Sequence, residues 1–185
     1  MLIPRPETEL VVESALRVTG NGGRALDVGT GSGALAITLQ IEAGMEAVAT
    51  DISSAALAVA AENARRLGAR VSFVCCDLAA ALGAGAMDLI VSNPPYVPLS
   101  QRQGLQREVR DFEPHVALFA GETGFEISGR IVEDAPRILR PGGWLVMELG
   151  FGSRDHVATL LQGWDDLRIE ADLAGIPRVV MARRV

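Results

Sequence analysis

The sequence contains no lysine. All 17 of its basic residues are arginine, which removes Schiff-base and lysine-nucleophile mechanisms from consideration. Cysteine is nearly absent too. Cys75 and Cys76 are adjacent, poor geometry for a structural disulfide and no metal motif by itself, and they read as buried strand residues. His115 and His156 stand without a cysteine or second histidine at ligand spacing and without a serine-type elbow, so no metal and no histidine chemistry is expected. No block of like charge occurs, and the formal net charge is -6, so the basic footprint of a general nucleic-acid binder is missing and direct nucleic-acid binding is not expected. No apolar run approaches membrane-span length. The opening Met1-Leu2-Ile3-Pro4-Arg5-Pro6 lacks the apolar region of a signal peptide, so the expectation is a soluble, cytoplasmic, monomeric protein without a membrane partner.

Aromatic residues make up only 4% of the chain, whereas 49% is hydrophobic. The core must therefore be built from Ala, Val, Leu and Ile, the usual filling of a parallel sheet covered on both faces. At 185 residues the chain has enough for one sizeable core and little for a second, so 1–185 reads as one domain.

Periodicity and punctuation give an alternating order. A helix runs from Glu7 to about Val18, with Pro6 suited to its first turn. Arg24 to Val28 is a strand, Gly29 to Gly33 a turn and Ala34 to Ala43 a helix. Strand Ala47 to Asp51 leads to a helix over Ala55 to Leu67, with Ser53 as N-cap and Gly68 as its stop. Strand Val71 to Cys75, a loop with a short helix, and strand Asp88 to Ser92 follow. After the proline-rich loop 93–98, helices are expected at Gln101 to Arg110 and Gly124 to Leu139. A strand at Gly143 to Leu149 follows the Arg140-Pro141-Gly142-Gly143 turn. Asp155 to Leu161 is helical, and Leu167 to Asp172 with Arg178 to Ala182 reads as an antiparallel pair around Gly175-Ile176-Pro177. The result is an α/β fold with a seven-stranded, mostly parallel sheet and a C-terminal antiparallel pair. Ligands of such sheets bind at the carboxyl ends of the strands.

Asp27-Val28-Gly29-Thr30-Gly31-Ser32-Gly33 falls at one such end, where glycines let backbone approach a ligand that side chains would exclude. Gly31-Ser32-Gly33-Ala34-Leu35-Ala36 also fits the dinucleotide pattern, so the loop alone does not choose its nucleotide. Asp27 favours S-adenosylmethionine. A carboxylate there suits a ligand carrying an ammonium group and would repel a pyrophosphate. Asp51, ending the second strand, is placed to accept both ribose hydroxyls of an adenosine, as it would for NAD; Ile52 beside it and Asn93, just after the fourth strand, are grouped with the cofactor-binding residues. Asp77 is placed to accept from the adenine amino group, with Leu78 as a wall for the ring.

Asn93-Pro94-Pro95-Tyr96 follows the fourth strand and projects at the same edge. Methyl transfer to a planar amide or aromatic amine needs a lone pair that delocalisation makes a poor nucleophile. The Asn93 side-chain oxygen and the Pro94 carbonyl can each accept one N–H, aiming the nitrogen and binding it more strongly as positive charge develops. Tyr96 can stack on the planar group, and Pro95 with Pro94 stiffens the loop.

These residues, with Ile3-Pro4-Arg5-Pro6-Glu7-Thr8-Glu9, Phe112-Glu113-Pro114, Ala117-Leu118-Phe119 and Glu148-Leu149-Gly150, resemble the protein-(glutamine-N5) methyltransferases that modify peptide chain release factors, the HemK/PrmC group. The resemblance covers nearly the whole chain. It implies a class I, Rossmann-like S-adenosylmethionine-dependent methyltransferase fold, with Gly29 to Gly33, Asp51 and Leu78 lining the cofactor. Asn93, Pro94, Pro95 and Tyr96 would bind the glutamine amide, and the partner would be a release factor carrying a Gly-Gly-Gln segment. Arg5, Glu7 and Thr8 would lie near the methionine end of the cofactor or the substrate entrance, although Thr8 reads equally as a helix-start cap. The sequence opens directly at the motif that normally follows the family's N-terminal helical domain, so the expectation is either a trimmed catalytic domain or a stand-alone relative with another substrate. The same loops would serve methylation of a nucleobase amine or a small-molecule amide, or a nucleotide-binding module without catalysis.

Overall fold

The computed structural model describes residues 6–104 and 115–185. Its strands are β1 (Arg24–Val28), β2 (Glu46–Asp51), β3 (Val71–Cys75), β4 (Met87–Ser92), β5 (Val97–Pro98), β6 (Phe119–Gly121), β7 (Leu139–Glu148), β8 (Asp165–Ala171) and β9 (Pro177–Arg183). Seven of them form one sheet in the order β3-β2-β1-β4-β7-β9-β8. From β3 to β7 the neighbours are parallel, and β9 pairs antiparallel with both β7 and β8. This is the expected mixed sheet. Helices α1 (Pro6–Thr19), α2 (Ala34–Ala43), α3 (Ser54–Leu67), α4 (Glu126–Ile138) and α5 (Arg154–Leu160) cover it.

Side chains alternate along each strand, and each set meets a different helix layer. Ala25, Leu89, Val91, Val146 and Val179 pack with Val11 and Ala15 of α1 and Leu35 and Leu39 of α2. Leu26, Ile90, Leu145 and Val180 pack with Ile131, Val132 and Ile138 of α4 and Val157 of α5. Both faces of the central strands are therefore dry, which explains their continuous apolar reading.

The ends of these elements follow from their punctuation. Ser53 Oγ accepts the Ala56 amide at 3.2 Å as the N-cap of α3, and Gly68 ends that helix at φ 71°. A left-handed C-cap of this kind favours glycine.

Four expectations are corrected. No helix forms between β3 and β4, where Ala80 and Leu82 reach back only three residues, to the carbonyls of Asp77 and Ala79; Gly83 and Gly85 follow before a turn can propagate. β7 starts at Leu139, directly at the end of α4, and Arg140 to Gly143 form a bulge within it instead of a turn before it: Met87 pairs with Leu139 but Leu89 with Trp144. Cys75 is exposed and Cys76 half-buried, because β3 is an edge strand. The helix expected from Gln101 is a 3-10 turn over Leu99–Gly104, and the rest of that segment, to Arg110, lies outside the described residues. The chain also makes a small parallel ladder that periodicity does not signal, β5 with β6, just past the proline-rich loop. Among the described residues no helix is long and apolar enough to cross a membrane, and no group of His, Cys, Asp and Glu could hold a metal ion.

Candidate active site

Strand order reverses between β1 and β4, so the loops leaving these neighbours open a crevice at the carboxyl edge of the sheet. Val28 pairs with Ser92, and the Ser92 hydroxyl donates to the Val28 carbonyl at 2.8 Å. The next residues on the two strands are Gly29 and Asn93. The glycine loop and the Asn-Pro-Pro-Tyr loop thus begin side by side, one interstrand spacing apart.

The glycines do two different jobs. Gly29 has φ 73°, and a Cβ built on it would meet nothing within 4 Å, so backbone there borders open space. Gly33, at φ 85°, would push a Cβ to 2.9 Å from Ile37 Cδ1 and 3.1 Å from Ala60 Cβ. Its role is close packing of α2 against α3, a requirement separate from ligand approach. Asn63 of α3 adds a bond from Nδ2 to the Ser32 carbonyl at 2.9 Å. The amides of Gly29 and Thr30 both donate to the Thr50 carbonyl, fixing the loop to the end of β2.

Asp27, two residues before the glycine loop's first glycine, is buried at 1% exposure. Its Oδ2 accepts from Thr30 Oγ1 at 2.6 Å and from the Ala36 amide at 3.1 Å, while Oδ1 is buried with no hydrogen-bond partner among the described residues. Burial pushes its pKa from 3.8 up to about 6; the negative charge of Asp51 adds to the rise, and the bonds from Thr30 and Ala36 oppose it. A buried carboxylate oxygen left unmatched is costly. It fits a cationic donor supplied by a ligand.

Asp51 accepts the Gly31 amide on Oδ2 at 2.9 Å and the Ser53 amide on Oδ1 at 2.8 Å, so both oxygens are aimed and each keeps acceptor capacity. Ile52 beside it is a large apolar side chain at 59% exposure, available as a flat wall. Asp77 is paired through Oδ2 with Arg130 of α4 at 2.6 Å. The sequence gives no sign of that partner. Leu78 has φ 47°, the left-handed region unusual for a branched residue, which holds it in a fixed turn after β3.

The Asn93 side chain is half-buried, and its Nδ2 donates to Thr8 Oγ1 of α1 at 3.4 Å. Pro94 is buried and Pro95 half-buried. Two glycines that carried no sequence role confine the rest of the loop. A Cβ on Gly150, just past β7, would lie 2.7 Å from Tyr96 Cγ, and one on Gly124 would lie 2.6 Å from the Tyr96 carbonyl. Gly124 is held in turn by Glu126, whose carboxylate accepts the amides of Thr123 and Gly124. These bonds keep Glu126 far below the usual carboxylate range, at about 2. Tyr96 is therefore seated between the amino end of α4 and the carboxyl end of β7. Of the two histidines, His156 stacks on Phe125 with ring centroids 4.2 Å apart, and the side chain of His115 lies outside the described residues, as do Arg5 and the side chain of Glu7.

Comparison with known proteins agrees with this architecture. Residues 7–109 match the family model of the methyltransferase small domain. A release factor glutamine methyltransferase of Koribacter versatilis is 46% identical over 188 residues, covering 100% of this chain and 67% of that protein. One from Nitratidesulfovibrio vulgaris is 45% identical over 192 residues, covering 99% of this chain and 65% of that protein. The chain spans about two thirds of the length of these curated relatives. Among solved structures, the E. cuniculi Mtq2–Trm112 complex, responsible for methylation of the eRF1 translation termination factor, aligns with a TM-score of 0.68 at 20% identity over 100% of this chain and 98% of that chain. That likeness is one of fold. With identity above two fifths along essentially its whole length to proteins so described, the chain belongs to the family of release factor glutamine methyltransferases.

Proposed function

We propose that this protein transfers a methyl group from S-adenosylmethionine to the side-chain amide nitrogen of a glutamine, in the Gly-Gly-Gln segment of a peptide chain release factor. The observation that carries the reading is the shared origin of the two loops at Val28 and Ser92, which brings the glycine loop and the Asn-Pro-Pro-Tyr loop to one crevice. The cofactor supplies an electrophilic methyl on a sulfonium sulfur. Asp27 Oδ1 would take its ammonium group, Asp51 its ribose hydroxyls, and Ile52 and Leu78 would flank its adenine. Gly29, Thr30, Gly31, Ser32 and Gly33 would form the floor. Asp77, already bound to Arg130, would present its remaining oxygen to the adenine amino group.

Asn93 Oδ1 and the Pro94 carbonyl would accept the two amide hydrogens, turning the nitrogen lone pair toward the methyl. Pro95 and Tyr96 close over the planar group. The nitrogen would take the methyl as the bond from that carbon to sulfur breaks, its electron pair staying on the sulfur of S-adenosylhomocysteine, and would then lose a proton to solvent, so no tuned general base is needed before transfer.

The test is incubation of the purified chain with S-adenosylmethionine and a release factor, read by mass spectrometry of the Gly-Gly-Gln peptide. One added methyl on the glutamine is expected; label entering nucleic acid and no protein would overturn the substrate assignment. Calorimetry should show binding of S-adenosylhomocysteine and none of NAD.

The seat of Tyr96 gives a further expectation. Gly150→Ala places a methyl group where the Tyr96 ring lies, so the ring or the end of β7 must move. Such overpacking costs about 1–3 kcal/mol of stability. Because misplacement by about 1 Å can cost about a hundredfold, kcat should fall by about ten- to a hundredfold with cofactor affinity nearly unchanged. Steady-state kinetics beside calorimetry would separate the two.

A further inference from the structure

The geometry points to Thr8 as a positioning residue that fixes which way the Asn93 carboxamide faces. This inference rests on the reading of Asn93 as the amide acceptor. An asparagine side chain presents oxygen on one side and NH2 on the other, and only the oxygen can accept from a substrate amide. Turned over, Asn93 would set its own NH2 against the NH2 of the glutamine, donor against donor.

Thr8 is placed to prevent this. It is 8% exposed and lies on the inward stripe of α1 that continues through Val11 and Ala15, both at 0%. A hydroxyl on such a stripe needs a partner to offset its burial. Thr8 Oγ1 accepts from Asn93 Nδ2 at 3.4 Å across 85 positions of chain. The other inward hydroxyl of α1, Ser14, is matched in the same way, donating to Glu170 of β8 at 2.7 Å. With Nδ2 engaged by α1, Oδ1 is the atom left to the crevice. The first helix thereby sets the orientation of a residue on the fourth strand's loop, a role different from capping its own start: Thr8 is already inside α1, which begins at Pro6.

The test uses Thr8→Val, which keeps the shape and removes the acceptor, and Thr8→Ser, which keeps it. In Thr8→Val, kcat on the release factor should drop by about ten- to a hundredfold while the Kd for S-adenosylhomocysteine stays within about threefold. Thr8→Ser should recover most of the rate. Equal losses in both variants, or full activity in Thr8→Val, would overturn the proposal. A second reading needs no substrate: the side-chain NH2 resonances of Asn93, assigned by their disappearance in Asn93→Ala, should be dispersed and slow to exchange in the parent and in Thr8→Ser. In Thr8→Val they should move toward free-amide positions and exchange faster. Unchanged resonances would reject the contact itself. If the release factor is not methylated by the parent protein, the substrate assignment fails, and the resonances still decide the role of Thr8.

Discussion

Replacement of Asn93 by alanine is expected to reduce single-turnover methyl transfer by about a hundred- to a thousandfold, while S-adenosylhomocysteine binds within a few-fold of the parent affinity. The size of the effect follows from what the oxygen does during the reaction. An amide nitrogen carries almost no negative charge in the ground state and becomes positive as the new bond forms. An acceptor fixed against its N–H therefore gains strength only on the way to the transition state, and its loss falls on kcat instead of KM. Removing one preorganised group of this kind typically costs about 3–4 kcal/mol. The alanine variant also strips Thr8 of its partner, but Thr8 belongs to α1, whereas the proposed cofactor cradle is built from β1, β2 and their loops. Asn93→Asp keeps an oxygen toward the substrate and lets the Thr8 hydroxyl donate instead of accept, so it should retain more activity than alanine. Turnover unchanged in Asn93→Ala would remove this residue from the chemistry.

The parts of this site that are readable in the sequence are those whose cause is local. The glycine loop announces itself because residues at φ 73° and 85° need glycine, and the Asn-Pro-Pro-Tyr loop because two prolines end a run of strand formers. β1, β3 and α2 have the same limits in the structure as in the periodicity, Arg24–Val28, Val71–Cys75 and Ala34–Ala43. What escaped depends on strand order or on contacts distant along the chain. Cys75 looks like a core residue until β3 is known to lie at an edge. Gly124 and Gly150 matter through Tyr96, which neither neighbours in sequence. Thr8 is ambiguous from sequence because a helix-start threonine has a local explanation; only the fold shows its distant one. Gly33 was readable as a required glycine but for an incomplete reason, since the obstruction is Ala60 of α3. The Arg130 that engages Asp77 comes from α4, and no spacing rule connects them.

Replacement of Asp27 by asparagine should produce a protein that is more stable without ligand and far weaker in binding its cofactor. The carboxylate is buried, and its pKa is raised from 3.8 to about 6 by that burial. For an acid raised on folding, the folded state holds a proton that the unfolded state has already lost, so stability falls as pH rises from near 3.8 through about 6 and stays reduced above it. The displacement corresponds to about 3 kcal/mol at pH 8. The carboxamide of Asp27→Asn would keep an acceptor for Thr30 and Ala36 without the charge, so the variant's melting temperature should exceed the parent's by about 5–10 °C at pH 8. The advantage should shrink toward zero near pH 4, where both side chains are neutral. Binding should run the other way. Loss of the anion from a buried charge pair costs about 2–5 kcal/mol, so calorimetry with S-adenosylhomocysteine should show Kd raised by about a hundredfold or more. The parent should show the same weakness on acidification, with affinity falling as pH drops below about 6, whereas the variant's weak binding should stay flat across that range. Parent-like affinity in the variant would separate Asp27 from the ammonium group. A variant less stable than the parent at pH 8 would mean that the bonds from Thr30 and Ala36 need the full negative charge, and that burial of Asp27 is already offset in the free protein.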